Sequence, residues 1–312
     1  MPRFVTFTPN PALDIATSVD QLQDAHKLRC DAPQVHPGGG GINVARVLHR
    51  LGGDVLAVYA AGGSTGTRLH NLLHAEGVPD LPLAIAADTR ESFTVHERSS
   101  GREFRFVLPG PHLAPAEWAH CLAQLEQLQP PPRWLISSGS LPPGVGDGGH
   151  AQVARLAQQI GARMVVDSAG PALTAALQTG VWLIKPSLRE LCELSGAELS
   201  TPEMQRNAAR TLINQGHTQM VALSLGKQGA MLVTADQCLW AEALSVPVAS
   251  SVGAGDSFLA ALVWALDSDA PLPEALATAM AAGAAAVMEA GTGLCQAQAV
   301  QDLRQHIRIR PC

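Results

Sequence analysis

Residues Pro37 to Arg46 read PGGGGINVAR, four consecutive glycines that run into a stretch where Ile42, Val44, Ala45, Val47, Leu48 and Leu51 recur at helical spacing. Ordering such a run is costly, because glycine loses more backbone entropy on folding than any other residue. It is therefore either a slack linker or backbone that must come very close to something. Linkers usually continue into Ser, Pro or charge, whereas this run enters a helix at once. A helix start carries unpaired N–H groups and partial positive charge, which suit anions and hydroxyls. A ligand loop and a plain tight turn both fit the segment taken alone.

The surrounding chain of 312 residues is long enough for one large α/β domain or two ordinary ones, and apolar residues at 46% provide a sizeable core. A net charge of −6 argues against a nucleic-acid binder, since phosphate backbones need a basic face. Lysine is confined to Lys27, Lys185 and Lys227. The six cysteines (Cys30, Cys121, Cys192, Cys238, Cys295, Cys312) include no CxxC pair, which favours reduced thiols in a cytosolic protein. The start, MPRFVTFTPN, has no apolar signal core, and the longest apolar run, Phe258 to Leu266, is too short to span a bilayer. A soluble, cytoplasmic protein is expected.

Short apolar runs alternate with helical patterns. Strands are predicted at Phe4–Thr8, Val55–Ala60, Trp134–Ser138, Met164–Asp167, Trp182–Ile184 and Met220–Ser224. Helices are predicted at Ile42–Leu51, Thr65–Ala75, Pro115–Leu128, Ala151–Ile160, Pro171–Leu177, Ser187–Leu194 and Thr201–Gln215. This alternation implies right-handed crossovers and a mostly parallel sheet. Residues 12–36 hold no convincing helix, and residues 89–108 read as a β-hairpin turning at Ser99-Ser100-Gly101. Together these two stretches suggest a small antiparallel sheet with an apolar face to cover. Two short runs, Ala230–Thr234 and Cys238–Trp240, follow, and Ala254 to Gln305 is mainly helical.

The strongest local signal for chemistry is SVGAGDSF, Ser251 to Phe258, ahead of an apolar helix. Gly253 and Gly255 let backbone N–H groups point into one space at a helix N-terminus, with Asp256 in the first turn. The plainer alternative is a glycine turn with Asp256 as a cap. Beside an anion hole, though, a carboxylate can take a proton from a hydroxyl while the N–H groups stabilise a transferring phosphoryl group. Two weaker signals, WLIKPSLRE (Trp182–Glu190) and SLGKQGAML (Ser224–Leu232), suggest further loops at strand C-terminal ends.

The blocks PNPALD (Pro9–Asp14), GGGGINVARVLHRLGG (Gly38–Gly53), SGSLPPG (Ser138–Gly144), VDSAG (Val166–Gly170), KPSLREL (Lys185–Leu191), SLGKQGA (Ser224–Ala230) and VGAGDS (Val252–Ser257) resemble, in order and spacing, the PfkB (ribokinase-like) sugar kinases. KLRC (Lys27–Cys30) and PGGGGINVAR are most similar to the 6-phosphofructokinase branch. The 1-phosphofructokinases and tagatose-6-phosphate kinases, which remain the alternatives, usually read GGKG where this chain has Gly38 to Gly41. The resemblance implies an α/β/α three-layer core (residues 1–11, 38–88 and 109–312). It also implies a β lid (12–37 and 89–108) that clasps a second copy into a homodimer.

It further implies transfer of the ATP γ-phosphoryl group to a sugar phosphate, with Asp256 as base and Gly253, Ala254 and Gly255 as anion hole. Asp14, Gly38, Gly39 and Asn43 would hold the sugar, and Lys27, Arg90, Arg105 and Ser138 its phosphate. Lys185, Ser187, Ser224, Gly226, Gly229 and Gly283 would line ATP. Glu190 would order Mg²⁺ through water, and the backbone of Ser250, Val252, Ala286 and Gly291 would hold K⁺. The family usually has Asn at Ser187, and Glu289 and Gly293 also depart from its pattern. A non-catalytic sugar-phosphate sensor is a further alternative; retention of Asp256 with both glycines argues for the enzyme. On residues alone, Arg105 reads as a solvated strand position, Ser138 as loop punctuation, and the histidines, without metal spacing, as unassigned.

Overall fold

Phe4, Val5 and Phe7 are buried because β1 (Phe4–Thr8) runs through the middle of a sheet covered on both faces. The computed structural model describes residues 2–24 and 26–312. After β1 come β2 (Ala12–Val19), β3 (Gln34–Gly38), α1 (Gly40–Arg50), β4 (Val55–Ala61), α2 (Gly63–Ala75) and β5 (Asp80–Ala84). The hairpin β6 (Arg90–Glu97) and β7 (Arg102–Val107) follows, then α3 (Pro115–Glu126), β8 (Trp134–Ser138), α4 (Gly149–Ile160), β9 (Arg163–Asp167) and α5 (Gly170–Thr179). The chain continues through β10 (Val181–Ile184), α6 (Leu188–Ser195), α7 (Pro202–Asn214), β11 (Thr218–Ser224), β12 (Ala230–Val233) and β13 (Cys238–Ala241). It closes with α8 (Ala254–Asp267), α9 (Leu272–Val287), α10 (Ala297–Arg304) and β14 (Ile309–Pro311).

The main sheet has the order β14-β13-β12-β11-β10-β9-β8-β1-β4-β5, parallel from β11 to β5 and antiparallel beyond β11. Its parallel strands are apolar runs, as strands buried on both faces must be. Residues of α1, α2, α8, α9 and α10 share one core with one face of the sheet, and residues of α3 to α7 share a second core with the other. This is the expected three-layer α/β architecture. The predicted strands and helices all form, with ends shifted by a few residues. Two short edge strands, β5 and β14, carry no strong pattern; both contain a proline, tolerated where the N–H faces outward.

The second sheet has the order β3-β2-β6-β7. Its outer pairs are antiparallel, but β2 and β6 run parallel, so this small sheet is mixed rather than wholly antiparallel. The separation in sequence explains why the pairing was not visible: β2 and β6 are joined by a crossover through α1, β4, α2 and β5.

The expectation of six reduced thiols needs correction. Cys238 and Cys312 form a disulfide, with Cα atoms 5.2 Å apart, while Cys30, Cys121, Cys192 and Cys295 are free. The cause is the β13–β14 pairing, in which the Cys312 N–H donates to the Cys238 carbonyl at 3.0 Å. That places the two Cα atoms within disulfide reach although 74 residues separate them. Among the described residues no helix is long and apolar enough to cross a membrane.

Candidate active site

β1 is flanked by β4 on one side and β8 on the other, so strand order reverses there. Open α/β sheets bind ligands at the carboxyl ends of strands beside such a reversal. A cleft of ≈ 730 Å³ opens at this place. Its floor includes Ser138 at the end of β8, Gly139 and Ser140 just after it, and Asp167 at the end of β9. The small sheet bounds it on the other side.

Side chains alternate across that small sheet, and register decides which ones face the cleft. Asp14 pairs with Ser92 and Ser92 with Val107; Ala12 pairs with Arg90, and Thr94 with Arg105. Asp14, Arg90, Ser92, Arg105 and Val107 all line the cleft. Ile15, Phe93 and Phe106 form the next cross-strand row, on the opposite face. Arg105 thus belongs to the cleft face rather than to a purely solvated one. Its guanidinium makes no hydrogen bond or ion pair among the described residues, whereas Arg90 donates to the carbonyls of Asn10, Leu108 and Pro11 at 3.0, 3.0 and 3.4 Å.

The four opening glycines abut neighbours on every side. A Cβ at Gly38 would collide with the Asp14 carboxylate, at Gly40 with the Ser138 hydroxyl, and at Gly41 with the Thr8 hydroxyl. Gly39 has φ +112°, a conformation that side chains rarely adopt. The run is therefore close-packed backbone that lets β1, β2 and β8 converge on the start of α1, and the linker reading is excluded. Buried Arg46, which the sequence did not single out, anchors it: its guanidinium pairs with Glu76 at 2.6 Å and donates to the carbonyls of Pro37 and Thr292.

Asp256 lies in the first turn of α8, whose N-cap Gly253 has φ +76°. The first N–H groups of an α-helix have no partner within it, and Gly253 and Asp256 at this helix start line the cleft. Asn43 Nδ2 donates to Asp256 Oδ2 at 2.8 Å. Lys185 Nζ lies 3.1 Å from Asp167 Oδ1, and a Cβ at Gly255 would stand 3.2 Å from that ammonium. Burial pushes the Asp256 pKa up to about 6, reinforced by the Asp167 charge and opposed by Asn43 and Lys185. Burial also pulls the Lys185 pKa down, but Asp167, Asp256 and Glu190 outweigh it and the net direction is upward. Asp14 is likewise pushed up to about 6 by burial, against the lowering fields of Arg105, Arg90 and Arg46.

On the other flank, Ser187 caps α6: its hydroxyl accepts from the Glu190 N–H at 3.3 Å, and Glu190 Oε2 accepts from the Ser187 N–H at 2.7 Å. Ser224 bridges to Ser187, and its N–H donates to the Pro186 carbonyl at 2.9 Å. Gly226 and Gly229 bracket the turn between β11 and β12. Gly283 of α9 faces the first turn of α8, where a Cβ would lie 3.5 Å from the Ala254 carbonyl. Glu190 lines the cleft; Ser224, Gly226, Gly229 and Gly283 lie outside its lining. Lys27 is exposed on the segment between β2 and β3 and is not brought to the cleft within one chain.

The loop with Ser250 and Val252 is held on the end of α9, where the Ala249 and Ser250 N–H groups donate to the Val287 carbonyl at 2.7 and 3.3 Å. Ala286 lies beside it, and Gly291 sits in the following turn against Ala16 of β2. Backbone carbonyls are hard oxygen donors of the kind that hard cations take. Among the described residues no cluster of three or more His, Cys, Asp or Glu could hold a metal. Glu190 is one of the carboxylates lining the cleft, and a carboxylate there fits Mg²⁺ shared with phosphates, since that ion usually keeps several waters and rarely takes an all-protein cage.

Asp167, Ser140 and His150 also belong to this region without having been assigned in the sequence. Asp167 stands in the quoted VDSAG block, so its position at a strand end was an available signal. Ser140 likewise stands in the quoted SGSLPPG block; His150 offered no such signal.

Residues 10–299 match the family described as pfkB family carbohydrate kinase. The chain is 43% identical over 300 residues to ATP-dependent 6-phosphofructokinase isozyme 2 of Mycobacterium tuberculosis, covering 96% of this chain and 88% of that one. It superposes on the crystal structure of Escherichia coli phosphofructokinase-2 in complex with fructose-6-phosphate with a TM-score of 0.92 at 40% identity, covering 98% and 99% of the two chains. The same Escherichia coli enzyme in complex with potassium gives 0.93 at 41% identity, with the same coverage. The chain belongs to the pfkB family of carbohydrate kinases.

Proposed function

We propose that this kinase transfers the γ-phosphoryl group of ATP to the carbon-1 hydroxyl of fructose 6-phosphate. One observation carries the reading: a single cleft holds Asp256 at the start of α8 and, across from it, the cations Arg90 and Arg105. A carboxylate beside unpaired helix N–H groups suits deprotonation of a hydroxyl during phosphoryl transfer. Two cations some distance away suit a phosphate already on the acceptor.

In this reading Asp14, the Gly38–Gly39 backbone and Asn43 hold sugar hydroxyls, and Arg90, Arg105 and Ser138 hold the 6-phosphate. Asp256 takes the proton as the carbon-1 oxygen bonds to phosphorus, and the bond from the γ-phosphorus to the bridging oxygen breaks, leaving its electron pair on ADP. The Gly253, Ala254 and Gly255 N–H groups stabilise charge on the phosphoryl oxygens. Lys185, Ser187, Ser224, Gly226, Gly229 and Gly283 bound the ATP side. Mg²⁺, when bound near Glu190, would neutralise charge shared between ATP phosphates. K⁺ would be held by carbonyls around Ser250, Val252, Ala286 and Gly291.

The lid (12–37 and 89–108) is assigned a second role, as a homodimer clasp through its apolar face. Lys27 then reaches an acceptor phosphate only if a partner lid delivers it. The compartment that fits is the cytoplasm, where ATP is supplied and a reducing environment would act on the Cys238–Cys312 bond. The test is ADP formation on adding fructose 6-phosphate: stoichiometric ADP above the acceptor-free rate supports the reading, and no increase rejects it.

A further inference from the structure

His150 is fully buried in the first turn of α4, and both of its ring nitrogens are used. Nε2 lies 3.1 Å from the Gly139 carbonyl oxygen, and Nδ1 lies 2.9 Å from Ser137 Oγ. A carbonyl can only accept, so Nε2 carries the proton and bare Nδ1 accepts from the Ser137 hydroxyl. Burial lowers the imidazole pKa to about 4, and the positive end of α4 also disfavours a cation, so the ring stays neutral in this tautomer.

Gly139 has no side chain to fix the orientation of its peptide, so neighbours must do it. Its N–H donates to the Asp167 carbonyl at 2.9 Å, and its carbonyl is held by the ring. The Gly139 carbonyl and the Ser140 N–H share one planar trans peptide and point in opposite directions. With the carbonyl turned toward the buried ring, the Ser140 N–H is turned away from it, and Gly139 and Ser140 both line the cleft. Among the described residues that N–H donates to no protein acceptor.

We propose that His150 is a positioning residue: by holding the Gly139 carbonyl, it aims the Ser140 N–H at the phosphate of the acceptor. The inference rests on the reading that this end of the cleft holds that phosphate.

Half-isosteres of histidine separate this role from simple packing. A glutamine amide reaches the Nε2 position and can still donate to Gly139; an asparagine amide reaches only the Nδ1 position and keeps only Ser137. Kinetics use whichever sugar phosphate the wild-type enzyme turns over best, so a different acceptor corrects the proposed substrate and leaves this comparison intact. His150→Gln is expected to keep acceptor KM within about threefold of wild type, whereas His150→Asn and His150→Ala raise it roughly tenfold. KM for ATP and kcat stay within about threefold in all three. Unchanged acceptor KM in the Asn and Ala variants overturns the proposal, as does a joint rise in both KM values, or Asn outperforming Gln. Ser137→Ala leaves the ring in place but free to rotate, and gives the same selective rise in weaker form. It carries the test if every His150 variant fails to fold, and an unaltered acceptor KM there overturns the proposal.

Discussion

Asn43 Nδ2 donates to Asp256 Oδ2 at 2.8 Å, joining the glycine loop at the start of α1 to the glycine turn at the start of α8 across 213 residues of sequence. The bond favours the ionised carboxylate, against burial, which favours the acid. The two helix starts therefore meet where a proton must be accepted.

A pH dependence follows. Asp256 must be ionised to act as a base, and its pKa is about 6, so kcat/KM holds above that value and falls as pH drops through it. Asp14 titrates in the same range, so the limb belongs to the pair. Asn43→Ala removes a bond to the ionised form and moves the acid limb to higher pH; a limb unmoved in the pH profile contradicts this account of the bond.

Asp256→Asn separates activity from stability. We expect kcat to fall by roughly 10²–10⁴, the usual worth of a general base. The folded pKa of Asp256 lies above its unfolded value, so ionisation penalises the fold: the penalty is absent below about pH 4 and complete above about pH 6. The variant should match or exceed wild-type stability at pH 8, by on the order of 1–3 kcal/mol, with the advantage vanishing toward pH 4. Denaturant titrations at the two pH values read this directly; a variant less stable at pH 8 argues against a buried, penalised carboxylate.

Arg105 and Arg90 should respond differently. Arg105 lines the cleft and makes no hydrogen bond or ion pair among the described residues, so Arg105→Ala raises acceptor KM roughly tenfold with ATP KM and thermal stability unchanged. Arg90 ties three carbonyls between the β1–β2 turn and the end of β7, so Arg90→Ala also lowers Tm. Equal Tm for the two variants would remove the distinction.

The lid's outer face predicts association. Phe106 is 50% exposed and continues the cross-strand row of Ile15 and Phe93. Light scattering at micromolar concentration is expected to give twice the chain mass, and Phe106→Glu to shift the protein toward monomer. A fully active wild-type monomer rejects the clasp.

Much of this was legible in the sequence because the main sheet is built from apolar runs buried on both faces, and because each glycine block stands where a strand ends. Helix starts such as that of α8 declare themselves through Gly253, Gly255 and Asp256. The lid's parallel β2–β6 pairing, the Cys238–Cys312 bond and the Arg46–Glu76 pair were not legible, since each joins segments that local periodicity cannot relate. The direction in which Arg105 points depended on register with Thr94, which only the paired strands fix. His150 looked like any isolated histidine until the turn after β8 closed over it.

The central claim is that the cations across from Asp256 recognise a phosphate on the acceptor, at carbon 6 of fructose. Its most direct test is kcat/KM for fructose 6-phosphate, tagatose 6-phosphate, fructose 1-phosphate and fructose on one preparation of enzyme. The account predicts fructose 6-phosphate first, tagatose 6-phosphate poorer but measurable because a single stereocentre is read by few contacts, and fructose far behind. Fructose 1-phosphate or free fructose in first place would contradict it.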